Sequence, residues 1–152
     1  DVLERFQVEA KARCRKIYPN DHSSIIFAIG LNDTKGIKSK DNPITSKEVF
    51  KNNINLLIEK AIKYTDHIIF VGLTPVNEQK TMPIDDFYFL NERIKEYEEI
   101  ISEECKKRNT FFFSVIEEWL KIDYLDLLSE DGIHPNEKGH QKIFEKIKPL
   151  FI

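Results

Sequence analysis

Three short apolar runs, set among longer stretches with helical spacing, constrain this chain more than any other feature. They are Ser24–Gly30 (SIIFAIG), His67–Leu73 (HIIFVGL) and Thr110–Ile116 (TFFFSVI). Each is short for a core helix and rich in branched or aromatic side chains, so each reads as a strand. Ser24–Gly30 and the triple Phe111–Phe113 look like strands covered on both faces. Around them, apolar residues recur every three or four positions. Leu3, Phe6, Ala10, Cys14 and Ile17 mark an opening helix over Asp1–Ile17. Val49, Phe50, Ile54, Leu57, Ile58, Ala61 and Ile62 mark a second, preceded by Thr45-Ser46-Lys47-Glu48, a capping box with Thr45 as N-cap. Phe87, Leu90, Ile94, Tyr97, Ile101 and Cys105 mark a long third helix that includes Tyr88. Pro135 opens a last one, with Ile143, Phe144 and Ile147 turned inward.

Strands alternating with helices predict an α/β fold with a parallel sheet between two helical layers and right-handed crossovers. The 152 residues suit one domain spanning 1–152. In open sheets of this kind ligands bind beyond the carboxyl ends of the strands. The loops of interest are therefore Leu31–Pro43, Thr74–Pro83 and Glu117–His134.

Composition removes several function classes. The chain carries 23 basic and 26 acidic residues, a net charge of −3, which argues against a nucleic-acid partner. No apolar run approaches the ~20 residues of a membrane span. Cys14 and Cys105 form neither a disulfide framework nor a metal-ligand spacing and read as small packed side chains. No glycine-rich phosphate loop is present.

Two segments could carry chemistry. Gly30-Leu31-Asn32-Asp33 follows the first strand directly. Gly30 permits a sharp turn, and the Asn32 carboxamide could then donate to a developing oxyanion at the rim. An ordinary polar turn accounts for the same residues. Asp131-Gly132-Ile133-His134-Pro135 precedes the last helix. A short turn across Gly132 would bring the Asp131 carboxylate to His134 Nδ1, fixing the tautomer and leaving Nε2 as a general base. A surface histidine with an aspartate near a helix start is the alternative. Asp131, His134 and His140 do not make a recognisable metal-ligand set, and His140 falls where a helix face would pack. His22 and His67 precede strands, at the end away from the crevice, and Trp119 reads as core.

Taken together the two segments resemble the SGNH hydrolases, also called GDSL-type esterases and lipases. That family has a strand ending in G-x-N-D and, near its carboxyl end, D-x-x-H-P. Here these are Gly30, Asn32 and Asp33, then Asp131, His134 and Pro135. Asn136-Glu137-Lys138-Gly139-His140 and Gly72-Leu73-Thr74-Pro75-Val76 look like the family's sequence at the corresponding places. The resemblance implies a three-layer α/β/α, flavodoxin-like sheet. It also implies a serine esterase that needs no cofactor and acts on a small-molecule ester. Asp131 and His134 would be triad members and Asn32 an oxyanion donor, supported by Gly30, Asp33 and Pro135.

The chain also departs from the family. None of Ser23, Ser24, Ser39, Ser46, Ser102, Ser114 and Ser129 lies in a G-D-S block. The expectation is a chain without the family's N-terminal strands, whose nucleophile comes from an upstream segment. That segment, or another chain, would lie against the strand at 24–29. A non-catalytic ligand-binding module derived from such a hydrolase is the competing expectation.

Overall fold

The computed structural model of the chain describes residues 2–14 and 22–151. Helix α1 (Val2–Arg13) leads to strand β1 (Ser24–Phe27), the short strand β2 (Gly36–Ile37) and helix α2 (Lys47–Ala61). Strand β3 (His67–Val71) is followed by the single turn α3 (Glu78–Thr81), strand β4 (Phe87–Tyr88) and helix α4 (Asn91–Lys107). Strand β5 (Phe111–Phe113), the short α5 (Ile116–Trp119) and α6 (Glu137–Ile147) complete the order.

The main sheet is parallel, in the order β1-β3-β5. Register pairs Ile26 with Ile69 and Phe70 with Phe112. Alternation along the strands splits the core in two. Ile25, Phe27, Ile68 and Phe70 face α1, α2 and α4, meeting Ala10, Ile54, Ile58, Ile94 and Ile101. Val71 faces the other way, toward Trp119 and Leu128, with Phe113, Ile143 and Ile147 packed beside them. The result is a three-layer α/β/α fold, as the alternating pattern predicts.

Several local expectations are corrected. The opening helix ends at Arg13, and residues 15–17 lie outside the described residues. The run Ser24–Gly30 is not a strand covered on both faces. It pairs only over Ser24–Phe27, and Ile26 is 41% exposed. The strand order leaves β1 at the sheet edge, and α5 and α6 cover β3 and β5 rather than β1. Phe111, likewise in an edge strand, is 46% exposed, with its ring 5.2 Å from that of His67. Ser46, not Thr45, caps α2, accepting from Val49 N–H. Thr45 Oγ1 instead donates to Asp33 Oδ1 at 2.9 Å. Phe87 and Tyr88 do not join the long helix, because they pair antiparallel with Gly36–Ile37. Pro135 precedes the last helix by two residues, and Asn136 is its N-cap, with Oδ1 accepting from Gly139 N–H at 3.1 Å. Phe144 points outward at 47% exposure, while Ile143 and Ile147 pack inward.

Candidate active site

Beyond the carboxyl ends of the strands lies a cleft of about 590 Å³. Its walls come from the loops after β1 and β3, from α2, and from the segment leading into α6.

The first wall is Gly30–Thr34. Gly30 takes φ 115°, a left-handed backbone that side chains disfavour, and so turns the chain at once out of the strand. A single 3₁₀ turn follows, closed by Asp33 N–H to Gly30 O at 3.0 Å. Thr34 Oγ1 donates to Leu31 O, and Asp33 is held by Thr45. These bonds fix a turn from which Asn32, an exposed side chain, lines the cleft.

The second wall is the turn 129–134. Ser129 N–H donates to His134 O at 2.7 Å, and Gly132 N–H to Ser129 O at 3.0 Å. Gly132 has φ 72°, which lets the chain reverse within three residues. Asp131 uses both oxygens. Oδ1 accepts the N–H groups of Ile133 and His134 at 2.8 and 3.0 Å, and Oδ2 lies 2.6 Å from His134 Nδ1. Partial burial opposes the charge on this carboxylate. The His134 ring and the two N–H donors outweigh it and hold the Asp131 carboxyl at about 2. His134 lines the cleft with its side chain 69% exposed, and Asp131 stands behind it. With Nδ1 committed to the carboxylate, the imidazole can present Nε2 as an acceptor.

Asn32, His134, Gly30, Asp33 and Pro135 thus border one cleft. His140 is exposed and also lines it, rather than packing on a helix face. His22 is exposed, and His67 is half-buried with Nδ1 2.7 Å from Ser24 Oγ. Trp119 is core, and no group of three or more metal-ligating side chains occurs among the described residues. No helix among them is long and apolar enough to cross a membrane. None of the described serines lines the cleft.

Sequence reasoning passes over Glu98. It sits on α4 at 3% exposure and accepts Leu73 N–H at 2.5 Å and the Ser114 hydroxyl. Val115 and Ile116 N–H groups also point to it. Burial pushes its carboxyl up, and these donors offset part of that shift. The available signal was a charge among Ile94, Tyr97 and Ile101, on the face that the helical spacing assigns to the core.

A profile of the GDSL-like lipase/acylhydrolase family matches residues 1–142. The chain belongs to this family. Solved structures similar to this GDSL-like chain include an acetyl xylan esterase, with TM-score 0.74 and 15% identity over 100% of this chain and 75% of that one. A lipase/acylhydrolase from Enterococcus faecalis aligns with TM-score 0.63 and 18% identity over 83% of this chain. A mutant of an acetylxylan esterase from Geobacillus stearothermophilus aligns with TM-score 0.65 and 19% identity over 100% of this chain and 67% of that one. At these identities the likeness is one of fold. The matched region spans 61% of the length of the Enterococcus protein. No curated protein sequence matches the GDSL-like chain.

Proposed function

We propose that the protein is a serine-dependent acyl-ester hydrolase in which His134 is the general base, Asp131 orients it, and Asn32 donates to the oxyanion. The carrying observation is the 2.6 Å contact between Asp131 Oδ2 and His134 Nδ1, in a turn bordering the same cleft as Asn32. The nucleophilic hydroxyl attacks the ester carbonyl while His134 Nε2 takes its proton. Asp131 stabilises the imidazolium that forms. Asn32 Nδ2 donates to the carbonyl oxygen as it becomes negative, a contribution of roughly 3–4 kcal/mol for one such donor. His134 then protonates the leaving alcohol, and water repeats the sequence on the acyl-enzyme.

The serine itself belongs, in this reading, to a segment outside these 152 residues. Its place is the open side of β1, where Ile26 is 41% exposed and no strand among the described residues pairs. An unprotected apolar edge favours pairing with another strand. Beside it the cleft continues as an apolar trough bordered by Val2, Ile29, Val71 and Ile143. The substrate is a small-molecule ester.

The test compares two polypeptides on p-nitrophenyl acetate. The protein with its natural upstream segment hydrolyses it, and His134→Ala loses at least about 100-fold in kcat. A serine-directed fluorophosphonate labels a residue upstream of Asp1. The 152-residue chain alone shows no turnover and no label. A labelled serine within the 152 residues would refute the placement, and absence of turnover and label in the longer protein would favour a binding module.

A further inference from the structure

We propose that Asn91, in the first turn of α4, is a positioning residue for the Asp131–His134 pair. This assignment rests on the hydrolase reading above. Asn91 borders no part of the cleft; it acts through the loop that follows β3.

That loop leaves the sheet at Gly72, whose N–H makes a last bond to Phe113 O at 2.8 Å. Beyond it, Val76 runs wholly buried, and no strand among the described residues pairs with it. Buried peptide groups need partners. Asn91 supplies both for Val76: Oδ1 accepts its N–H at 2.8 Å, and Nδ2 donates to its carbonyl at 3.0 Å. One carboxamide thus stands in for a neighbouring strand. The Tyr124 hydroxyl donates to the same carbonyl at 3.2 Å, and Glu78 Oε1 holds Asn91 N–H at 2.6 Å.

The next residue carries the constraint onward. Asn77 N–H donates to Gly132 O at 2.8 Å, and Gly132 directly follows Asp131. Lys80 Nζ reaches Glu130 O at 2.9 Å on the other side. Gly132 also lies close against the side chains of Asn77 and Lys80. The path from Asn91 to the Asp131 turn is therefore Val76, Asn77, Gly132, with a direct bond at each transfer between segments. Asp131 Oδ1 is tied within its own turn, so a shift of Gly132 turns the whole carboxylate relative to the ring. A misplacement of about 1 Å far from the chemistry can cost about 100-fold in rate.

The experiment uses the full-length protein and three variants. Asn91→Asp keeps the shape and the acceptor for Val76 N–H but sets a carboxylate oxygen against the Val76 carbonyl. Tyr124→Phe removes the second donor to that carbonyl and, with it, the oxygen that Asn91 Nδ2 meets at 3.4 Å. Cys105→Ala lies toward the far end of α4, is wholly buried, and loosens packing without touching Val76. The readouts are kcat and KM on p-nitrophenyl acetate, and the far-downfield proton resonance of His134 Nδ1–H in 15N-histidine-labelled protein. Asn91→Asp is expected to lower kcat about 10–100-fold with KM within about twofold, and to broaden or abolish the Nδ1 proton signal. Tyr124→Phe is expected to lie between it and wild type, and decides the matter if Asn91→Asp does not fold. Cys105→Ala keeps both readouts. A sharp Nδ1 signal in the Asn91 and Tyr124 variants overturns the proposal, as does an equal loss in Cys105→Ala. Because the resonance is read without substrate, it separates failure of this assignment from failure of the hydrolase reading.

Discussion

Replacing Glu98 by Leu tests how the floor of the cleft is held. The ladder between β3 and β5 has ended at Gly72, and the N–H groups of Leu73, Val115 and Ile116 turn toward the Glu98 carboxylate. Val115 and Ile116 are wholly buried, so water cannot replace the lost acceptor cheaply. A buried donor left unsatisfied costs about 1–3 kcal/mol, which sets a gross loss of roughly 3–9 kcal/mol for three. Opposing this, leucine removes a buried charge whose desolvation costs several kcal/mol. The orphaned donors win, because leucine relieves the carboxylate but not the peptide groups. The net loss is about 2–4 kcal/mol, or a fall in Tm of roughly 4–16 °C for a chain of this size. Circular dichroism melts and urea unfolding at neutral pH measure it. Glu98→Gln keeps one acceptor oxygen and is expected to lose about half as much. It also has a pH signature. Burial raises the Glu98 carboxyl in the folded state, so folding takes up a proton at pH values between the unfolded and the folded value. That contribution is full at low pH and fades as pH rises through the folded value. The wild type therefore loses stability over this window relative to Glu98→Gln. A Glu98→Leu protein melting at or above wild type would refute the reasoning, by showing the donors to be satisfied elsewhere.

Three further outcomes follow from the same geometry. On the hydrolase reading, Asn32→Ala in the protein with its natural upstream segment lowers kcat by about 100–1,000-fold with little change in KM, and a loss under tenfold in steady-state assays counts against Asn32 as an oxyanion donor. Gly72→Ala drives a methyl into the Glu98 carboxylate and the Val115 backbone, costing about 1–3 kcal/mol in a urea titration; unchanged stability would mean that α4 can retreat freely. The Asp131 carboxyl, near 2 when folded against an ordinary 3.8, adds stability that is complete above about pH 4 and is lost as pH falls toward 2. Asp131→Asn flattens that acid limb, by less than about 1 kcal/mol because the side chain is 40% exposed.

The sequence disclosed what is local and concealed what depends on distant neighbours. Asp131 and His134 are three residues apart, and their contact follows from one glycine turn, so D-x-x-H-P could be read directly. Gly30 and Asn32 are equally local. His67–Leu73 reads well because Ile68, Ile69, Phe70 and Val71 are all buried. Ser24–Gly30 is similarly apolar yet lies at an edge, and hydrophobicity does not tell how many neighbours a strand will find. Phe87 and Tyr88 continue a helical stripe in sequence, but Gly36 and Ile37 capture them as a strand from 50 residues away. Asn91 and Glu98 stayed hidden for a related reason. Their partners are backbone groups 15 and 25 residues distant, which leave no mark in side-chain patterns.

The placing of α4 bears on how such a protein can be re-engineered. Four of its side chains each fasten a different stretch of rim: Asn91 holds Val76, Arg93 reaches Lys40 O at 2.5 Å, Tyr97 donates to Thr45 O, and Glu98 holds Leu73. All four bonds end on main-chain atoms, so each needs a peptide group at a fixed place. The side chain is free to vary at exposed Lys40, whereas Val76 and Leu73 are buried and Thr45 also holds Asp33. Lengthening a loop between anchors costs only about 0.6 kcal/mol per doubling. Segments such as 38–43 and 82–86 can therefore be exchanged for foreign sequence, provided that the carbonyls received by Arg93 and Tyr97 are kept. The helix serves as a chassis, and new binding walls can be mounted on it without retooling the turn that carries Asp131 and His134.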